Sequence, residues 1–153
     1  MPLCANWKAE DEGWTKVECV LDSGASESVC PRTMAPHWPI EDSPGSTIGL
    51  HYTSASGGRM PNEGQQRLPI ALGTGTRTMA LFQVAEVSRP LMSVARVCEA
   101  GNQVLFGVGG GVIRNLSTGH DTPFEKRDGV YVFSMWIAPV SAVKNAPAFA
   151  GHP

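Results

Sequence analysis

Glycine and proline interrupt this chain so often that its apolar residues fall into short runs. Of 153 residues, 17 are glycine and 12 are proline. The apolar segments 19–21, 68–72 and 130–133 each lie within a few positions of one of them. Runs of this length are typical of strands joined by turns, because an amphipathic helix needs a longer periodic segment. We therefore expect an all-β chain.

The order of the expected elements follows from the same interruptions. A strand over 14–21 leads into Asp22, and Gly57-Gly58 turns a hairpin whose arms are 48–56 and 59–68. Segment 31–44 should be extended or looped, with at most one helical turn, because prolines recur in it. Further strands are expected at 68–72, 79–85, 104–106, 112–114 and 130–133, and a short helix at 94–100, closed by Gly101.

The charge distribution argues against a nucleic-acid or membrane partner. The formal net charge is −2 and the basic residues are scattered, so the chain lacks the basic stripe of a nucleic-acid groove. The longest stretch without Asp, Glu, Lys, Arg or His, which spans 130–143 and the preceding glycine, is interrupted by Pro139 and is shorter than the roughly 18 apolar residues of a membrane span. Residues 1–14 also lack the apolar run of a secretory leader.

Cysteine usage indicates a reducing compartment. The four cysteines, Cys4, Cys19, Cys30 and Cys98, are unevenly spaced, and the sequence has no CxxC or HxxxH pair. Such a set suits neither a disulfide framework nor a zinc site. We expect an intracellular, cytoplasmic protein with reduced thiols that uses no metal and no organic cofactor.

The segment Asp22-Ser23-Gly24-Ala25 follows directly on apolar residues that end a predicted strand. The turn would hold a carboxylate at a partly desolvated place, with a small hydroxyl to fix the loop and a glycine for close backbone approach. Two such carboxylates face to face cannot both ionise. One can then take a proton from water while the other donates a proton to a peptide carbonyl. The alternative is an Asx-turn after a strand, which is the more common meaning of an isolated Asp-Ser-Gly.

The order of motifs favours catalysis, because the chain resembles the retropepsins, the aspartic proteases of retroviruses and retrotransposons. Asp22-Ser23-Gly24-Ala25 matches their catalytic motif, the hairpin over 52–63 stands where they carry a flap, and 68–106 follows their second half in order. The protease region of copia-type retrotransposon polyproteins is more similar still, through 90–94, 101–106, 118–119 and Tyr131. The resemblance covers about residues 14–136.

The resemblance implies a retropepsin-like closed barrel with a flap hairpin and one short helix. We assign 1–13 to a flexible N-terminal segment, 14–106 to the protease domain, 107–137 to a C-terminal β extension and 138–153 to a disordered tail.

The resemblance also implies a role for each site residue. Asp22 would be the catalytic carboxylate, Ser23 the hydroxyl that braces it, and Gly24 the residue that permits close approach. The substrate would be an extended polypeptide. It would contact Ala25 and a mobile lid formed by Ala55, Ser56, Gly57, Gly58 and Arg59.

The number of catalytic motifs predicts a homodimer. Asp-Ser-Gly occurs once in the 153 residues, so one chain carries half of a two-carboxylate site. A C2 homodimer would place Asp22 and its symmetry mate on the axis. The expected function is therefore that of an aspartic endopeptidase whose dyad is shared between two chains.

The chain departs from the family pattern just before the predicted helix. Leu91-Met92-Ser93 stands where the family has an apolar pair and a glycine, and Val94 replaces an arginine that often follows. A salt bridge that braces a loop or joins the subunits is therefore unaccounted for.

Two other functions stay open. One is a retroelement-derived domain that binds peptides or partners without cleaving them, against which the intact Asp22-Ser23-Gly24 argues. The other is a nucleic-acid-binding β domain, against which the net charge of −2 argues.

Overall fold

The all-β character expected from the sequence is confirmed in a computed structural model, which describes residues 12–54, 56–73 and 75–144. Strands account for 49% of the described residues and helices for 11%. The strands are β1 (Thr15–Asp22), β2 (Val29–Cys30), β3 (His51–Thr53), β4 (Arg59–Pro61), β5 (Gly64–Leu72), β6 (Arg77–Val84), β7 (Leu91–Ser93), β8 (Asn102–Phe106), β9 (Gly110–Asn115), β10 (Asp121–Arg127) and β11 (Val130–Ile137). The helices are α1 (Pro44–Thr47), α2 (Val94–Glu99) and α3 (Val140–Lys144).

The strands of the described chain form one large sheet and one separate hairpin. The order in the large sheet is β1-β7-β2-β6-β5-β11-β10-β9-β8, and β3 pairs only with β4. Because β1 also pairs with β11, hydrogen bonding continues round β1, β7, β2, β6, β5 and β11. The pairing of β1 with β7 is parallel and puts Asp22 directly beside Ser93.

The main core lies where the long strands bring their apolar residues together. In β1 the run Cys19-Val20-Leu21 is buried, as expected for a strand that enters the core. Leu68, Phe82, Val84 and Met135, from β5, β6 and β11, are fully buried in the same interior. This packing fixes the end of β1, which carries Asp22.

The expectation of a single helix is wrong, because three short helices are present in the described residues. The predicted helix is α2, which starts at the N-cap Ser93 and is followed by Gly101 at φ 97°. The capping box of Ser43 and Ser46, with Pro44 in the first turn, forms α1. The helix α3 begins directly after Pro139.

The first arm of the predicted hairpin is shorter than the sequence indicates. A strand over 48–56 is expected, but β3 covers only His51–Thr53. Ile48 instead ends α1 as its C-cap, and Gly49 follows in the left-handed region at φ 75°. The helical turn therefore uses residues that would otherwise extend the strand.

The segments beyond the predicted protease domain join the same sheet. Residues 107–137 contribute β9, β10 and β11, and β11 pairs with β1, β5 and β10. Within the predicted tail, Ala138 is buried and its carbonyl accepts a hydrogen bond from Trp38 Nε1. The remainder of that tail, 145–153, and residues 1–11 lie outside the described residues. No helix in the described ranges is long and apolar enough to cross a membrane.

Candidate active site

Asp22 is the last residue of β1 and follows three buried positions. The backbone N–H of Gly24 donates a hydrogen bond of 2.8 Å to Asp22 Oδ1. A Cβ on residue 24 would stand 3.4 Å from the same oxygen, so glycine keeps this side of the carboxylate open. The geometry is that of an Asx-turn, which holds the half-buried carboxylate in one orientation at the end of a rigid strand.

Ser93 braces the loop that follows Asp22. Its hydroxyl donates to the carbonyl oxygen of Ala25 at 2.7 Å and accepts from Arg96 N–H at 3.2 Å. Its backbone N–H donates to Ser28 Oγ at 3.0 Å. Ser93 is fully buried, so these contacts tie both halves of the loop to the start of α2.

Arg96 adds a second brace on the same side. Its Nε donates to the carbonyl oxygen of Ser26 at 3.1 Å, and its Nη1 pairs with Glu99 at 2.9 Å. Side chains in a first helical turn lean back toward the helix N-terminus, which brings the guanidinium over the loop. The sequence predicted a missing brace at Val94; an arginine two positions later contacts the loop instead.

The hairpin of β3 and β4 carries the predicted lid. Gly57 lies at its tip with φ 87°, and Gly57 N–H donates to the carbonyl oxygen of Ser54 at 2.9 Å. Gly58 N–H donates to Ser54 Oγ at 2.9 Å, and the same Oγ lies 3.1 Å from Ser56 Oγ. The tip is thus a glycine turn organised around one serine hydroxyl.

The base of the hairpin contacts the Asp22 loop directly. Tyr52, in β3, donates its phenol proton to Glu27 Oε2 at 3.1 Å. Burial, and then the nearby Glu27 carboxylate, raise the pKa of Tyr52 to about 12, so the phenol is a donor at neutral pH. The structure therefore joins the hairpin to the loop that follows Asp22 through two side chains that are 25 residues apart in sequence.

The individual site predictions have different outcomes. Asp22, Gly24 and Ala25 share the braced loop. Ser23 is exposed, and its bracing of the carboxylate stays a prediction. The tip residues Ser56, Gly57, Gly58 and Arg59 are exposed, and Arg59 Nη2 lies 3.1 Å from His51 Nδ1. Ala55 lies outside the described residues.

Four other residues of this region were not singled out from the sequence: Glu27, Tyr52, Asn62 and Arg96. Each acts through a contact between residues distant in sequence. Only the basic residue in the first turn of the predicted helix gave a signal that could have been used.

A cavity of about 480 Å³ opens beside the loop, between α2 and the sheet. Its lining includes Glu27, Ser28, Arg96, Val97 and Phe133, and does not include Asp22. Among the described residues, no group of three or more His, Cys, Asp or Glu side chains could hold a metal ion.

Comparison with known proteins gave no relative of this chain. Neither a scan against protein-family models nor searches of curated proteins and solved structures found a match.

Proposed function

We propose that this chain is an aspartic endopeptidase of the retropepsin type that acts as a homodimer on extended polypeptides. The observation that carries the proposal is the placement of Asp22. Its carboxylate ends a core strand, accepts the Gly24 N–H, and belongs to a loop braced by Ser93 and Arg96. Catalysis requires groups held by rigid elements and supported by neighbouring hydrogen bonds.

The proposed reaction needs a second Asp22, from the partner chain. One carboxylate accepts a proton from water, and the water oxygen attacks the carbonyl carbon of the peptide. The other carboxyl group protonates the carbonyl oxygen. Collapse of the tetrahedral intermediate breaks the C–N bond, and the leaving nitrogen takes the proton held by the first carboxylate. One hydroxyl of the intermediate returns its proton to the second carboxylate, which restores the dyad. Because carboxylates and water supply every proton transfer, the scheme uses no metal and no organic cofactor.

The strand pairings and the free thiols support two further parts of the proposal, the type of fold and the location. The ring of pairings from β1 through β7, β2, β6, β5 and β11 is the connectivity that a closed barrel needs, and we propose a retropepsin-like barrel. Cys19, Cys30 and Cys98 are free thiols, which supports an intracellular, cytoplasmic location.

The test compares wild type with Asp22→Asn on a denatured protein mixture at mildly acidic pH. We expect Asp22→Asn to lose at least about a hundredfold in cleavage rate, the usual size of a general acid–base contribution. Its stability should be unchanged or improved, because Asn also offers an Oδ1 to Gly24 and relieves repulsion in the pair.

Asp128→Asn is the matched control. Asp128 is exposed in the turn after β10 and has φ 52°, a conformation that asparagine also tolerates. This variant should keep full activity. Cleavage by Asp22→Asn within a few fold of wild type would contradict the proposal, and absence of cleavage by wild type would favour a domain that only binds peptides.

A further inference from the structure

The hairpin of β3 and β4 has no strand partner in the large sheet, as far as the described chain extends. Its orientation over the rest of the molecule is therefore not set by backbone ladder bonds. Its base is held by the short link into β5, by a backbone hydrogen bond from Glu63 N–H to the Val84 carbonyl, and by side-chain hydrogen bonds. Those side-chain bonds converge on Asn62, the residue directly after β4.

Asn62 makes four hydrogen bonds through its side chain. Its Nδ2 donates to Gln83 Oε1 at 2.9 Å and to the phenol oxygen of Tyr52 at 3.2 Å. Its Oδ1 accepts from Gly64 N–H at 2.8 Å and from Ser43 Oγ at 3.1 Å. Both protons and both lone pairs of the buried amide are thus used.

The orientation of this amide is determined by its partners. The backbone N–H of Gly64 can only donate, so the carbonyl oxygen of Asn62 must face it. The amide nitrogen then faces Tyr52 and Gln83. Asn62 is in this way anchored to β5, β6 and the cap of α1, and it presents a proton to the hairpin.

Tyr52 links Asn62 to the loop that follows Asp22. Its phenol oxygen accepts from Asn62 and donates to Glu27. Glu27 immediately precedes Ser28, whose hydroxyl is bonded to the backbone of Ser93. A continuous path of hydrogen bonds therefore runs from the body of the fold, through the hairpin, to the braced loop.

We propose that Tyr52 and Asn62 are positioning residues, which set the hairpin relative to the Asp22 loop with Glu27 as the receiving group. The inference rests on the proposed function, in which the hairpin closes over the substrate. Loss of the link should let the hairpin and the loop move independently, so that part of the binding energy is spent on ordering them. The loss should therefore appear in KM more than in kcat.

The test uses Tyr52→Phe, which removes one hydroxyl, with Tyr131→Phe as the matched control. Tyr131 pairs with Leu21 of β1 and packs against Phe106 and Phe124, outside the path that joins Asn62, Tyr52 and Glu27. In Tyr52→Phe, hydrogen exchange should become faster at both 51–61 and 22–28. The value of kcat/KM should fall about tenfold, mainly through a higher KM. We expect an effect of this size because the lost hydrogen bond is to a carboxylate. Tyr131→Phe should change neither segment and neither constant.

Glu27 supplies a second pair of variants. Glu27→Gln keeps an oxygen that can accept the phenol proton, whereas Glu27→Ala removes it. We expect Glu27→Gln to keep most of the protection against hydrogen exchange and a KM close to that of wild type. Glu27→Ala should show the same faster exchange and higher KM as Tyr52→Phe. Faster exchange confined to the hairpin, or an unchanged KM in both Tyr52→Phe and Glu27→Ala, would overturn the inference.

The two proposals fail in distinguishable ways. If wild type shows no Asp22-dependent cleavage, the proposed function is wrong. Hydrogen exchange then decides alone whether Tyr52 links the hairpin to the loop, because that measurement does not depend on activity.

Discussion

At the scale of single residues, Ser93 stands where the retropepsin pattern has a glycine, and its contacts show what the serine side chain adds. Its hydroxyl caps α2 through Arg96 N–H and at the same time donates to the carbonyl oxygen of Ala25. Glycine could supply neither contact. The departure that weakened the resemblance in the sequence therefore has a definite structural use in the loop.

Replacing Ser93 with alanine should lower the free energy of unfolding by about 1–2 kcal/mol, since the helix loses its N-cap and the half-buried carbonyl of Ala25 loses its donor. Urea unfolding monitored by fluorescence measures the change. Ser117→Ala, at an exposed turn position, should change it by less than about 0.5 kcal/mol. Equal stabilities for the two variants would show that Ser93 does not brace the loop.

Two buried thiols make stability depend on alkaline pH. Burial raises the pKa of Cys30 from its ordinary value of 9.0 to about 12. Burial, and then the nearby Cys30, also raise the pKa of Cys19. Above pH 9.0 the unfolded chain releases these protons and the folded chain keeps them, so the thiols' contribution is complete below that pH and declines as pH rises toward about 12.

We therefore expect the free energy of unfolding to fall above pH 9.0 by about 1.4 kcal/mol per pH unit for each buried thiol. Urea unfolding at a series of pH values measures the slope. Cys30→Ala should give a shallower slope, and Cys98→Ala, at an exposed thiol, should give that of wild type. A slope for Cys30→Ala equal to that of wild type would show that the Cys30 thiol does not cause the loss of stability at alkaline pH.

At the scale of elements, two glycines, one at the hairpin tip and one outside it, separate the effect of backbone strain from an effect on function. Gly57 has φ 87° and Gly49 has φ 75°, and a Cβ at either position would meet nothing within 4 Å. Valine should therefore strain the backbone to a similar degree at both positions. Only Gly57 lies at the predicted lid.

Gly57→Val should slow turnover about tenfold more than Gly49→Val, because a stiff tip hinders closure over substrate. Peptide cleavage rates, with thermal unfolding as the control for stability, measure both effects. Matching losses of stability with unchanged turnover in both variants would show that the hairpin is only a scaffold.

Local sequence patterns predicted some elements well and others poorly, for identifiable reasons. The strands β1, β6 and β11 and the helix α2 have apolar runs and a clear cap, which the sequence displays directly. The strand β5 instead begins at Gly64, inside the segment 59–68 that was expected to be the second arm of the hairpin. The strand β10 was missed because Pro123 and several charges interrupt its pattern. At Pro123 the strand pairs with β9 alone, since its pairing with β11 starts at Glu125, so one side of the proline has no ladder bond to make.

The candidate site divides in the same way. Asp22, Gly24 and the glycine turn are encoded within a few consecutive residues, so the sequence was sufficient to find them. The Tyr52–Glu27 contact depends on how a separate hairpin docks against a loop. No local pattern specifies such docking, and only the tertiary structure brings the two side chains together.

At the scale of the whole molecule, the proposed activity depends on a second chain. One Asp-Ser-Gly motif stands at the end of β1, whereas the proposed chemistry needs two coupled carboxylates. Dilution below the dimer dissociation constant should therefore lower the activity per chain, by mass action.

The most direct test of this central claim mixes wild-type chains with inactive Asp22→Asn chains, allows them to exchange, and measures cleavage at constant total concentration. If both chains pair equally well, only wild-type homodimers hold a full dyad, and activity follows the square of the wild-type fraction. Stronger pairing by the Asn chain would bend the curve further but keep it below the straight line. A strictly linear fall, with activity per chain independent of total concentration, would contradict the shared dyad.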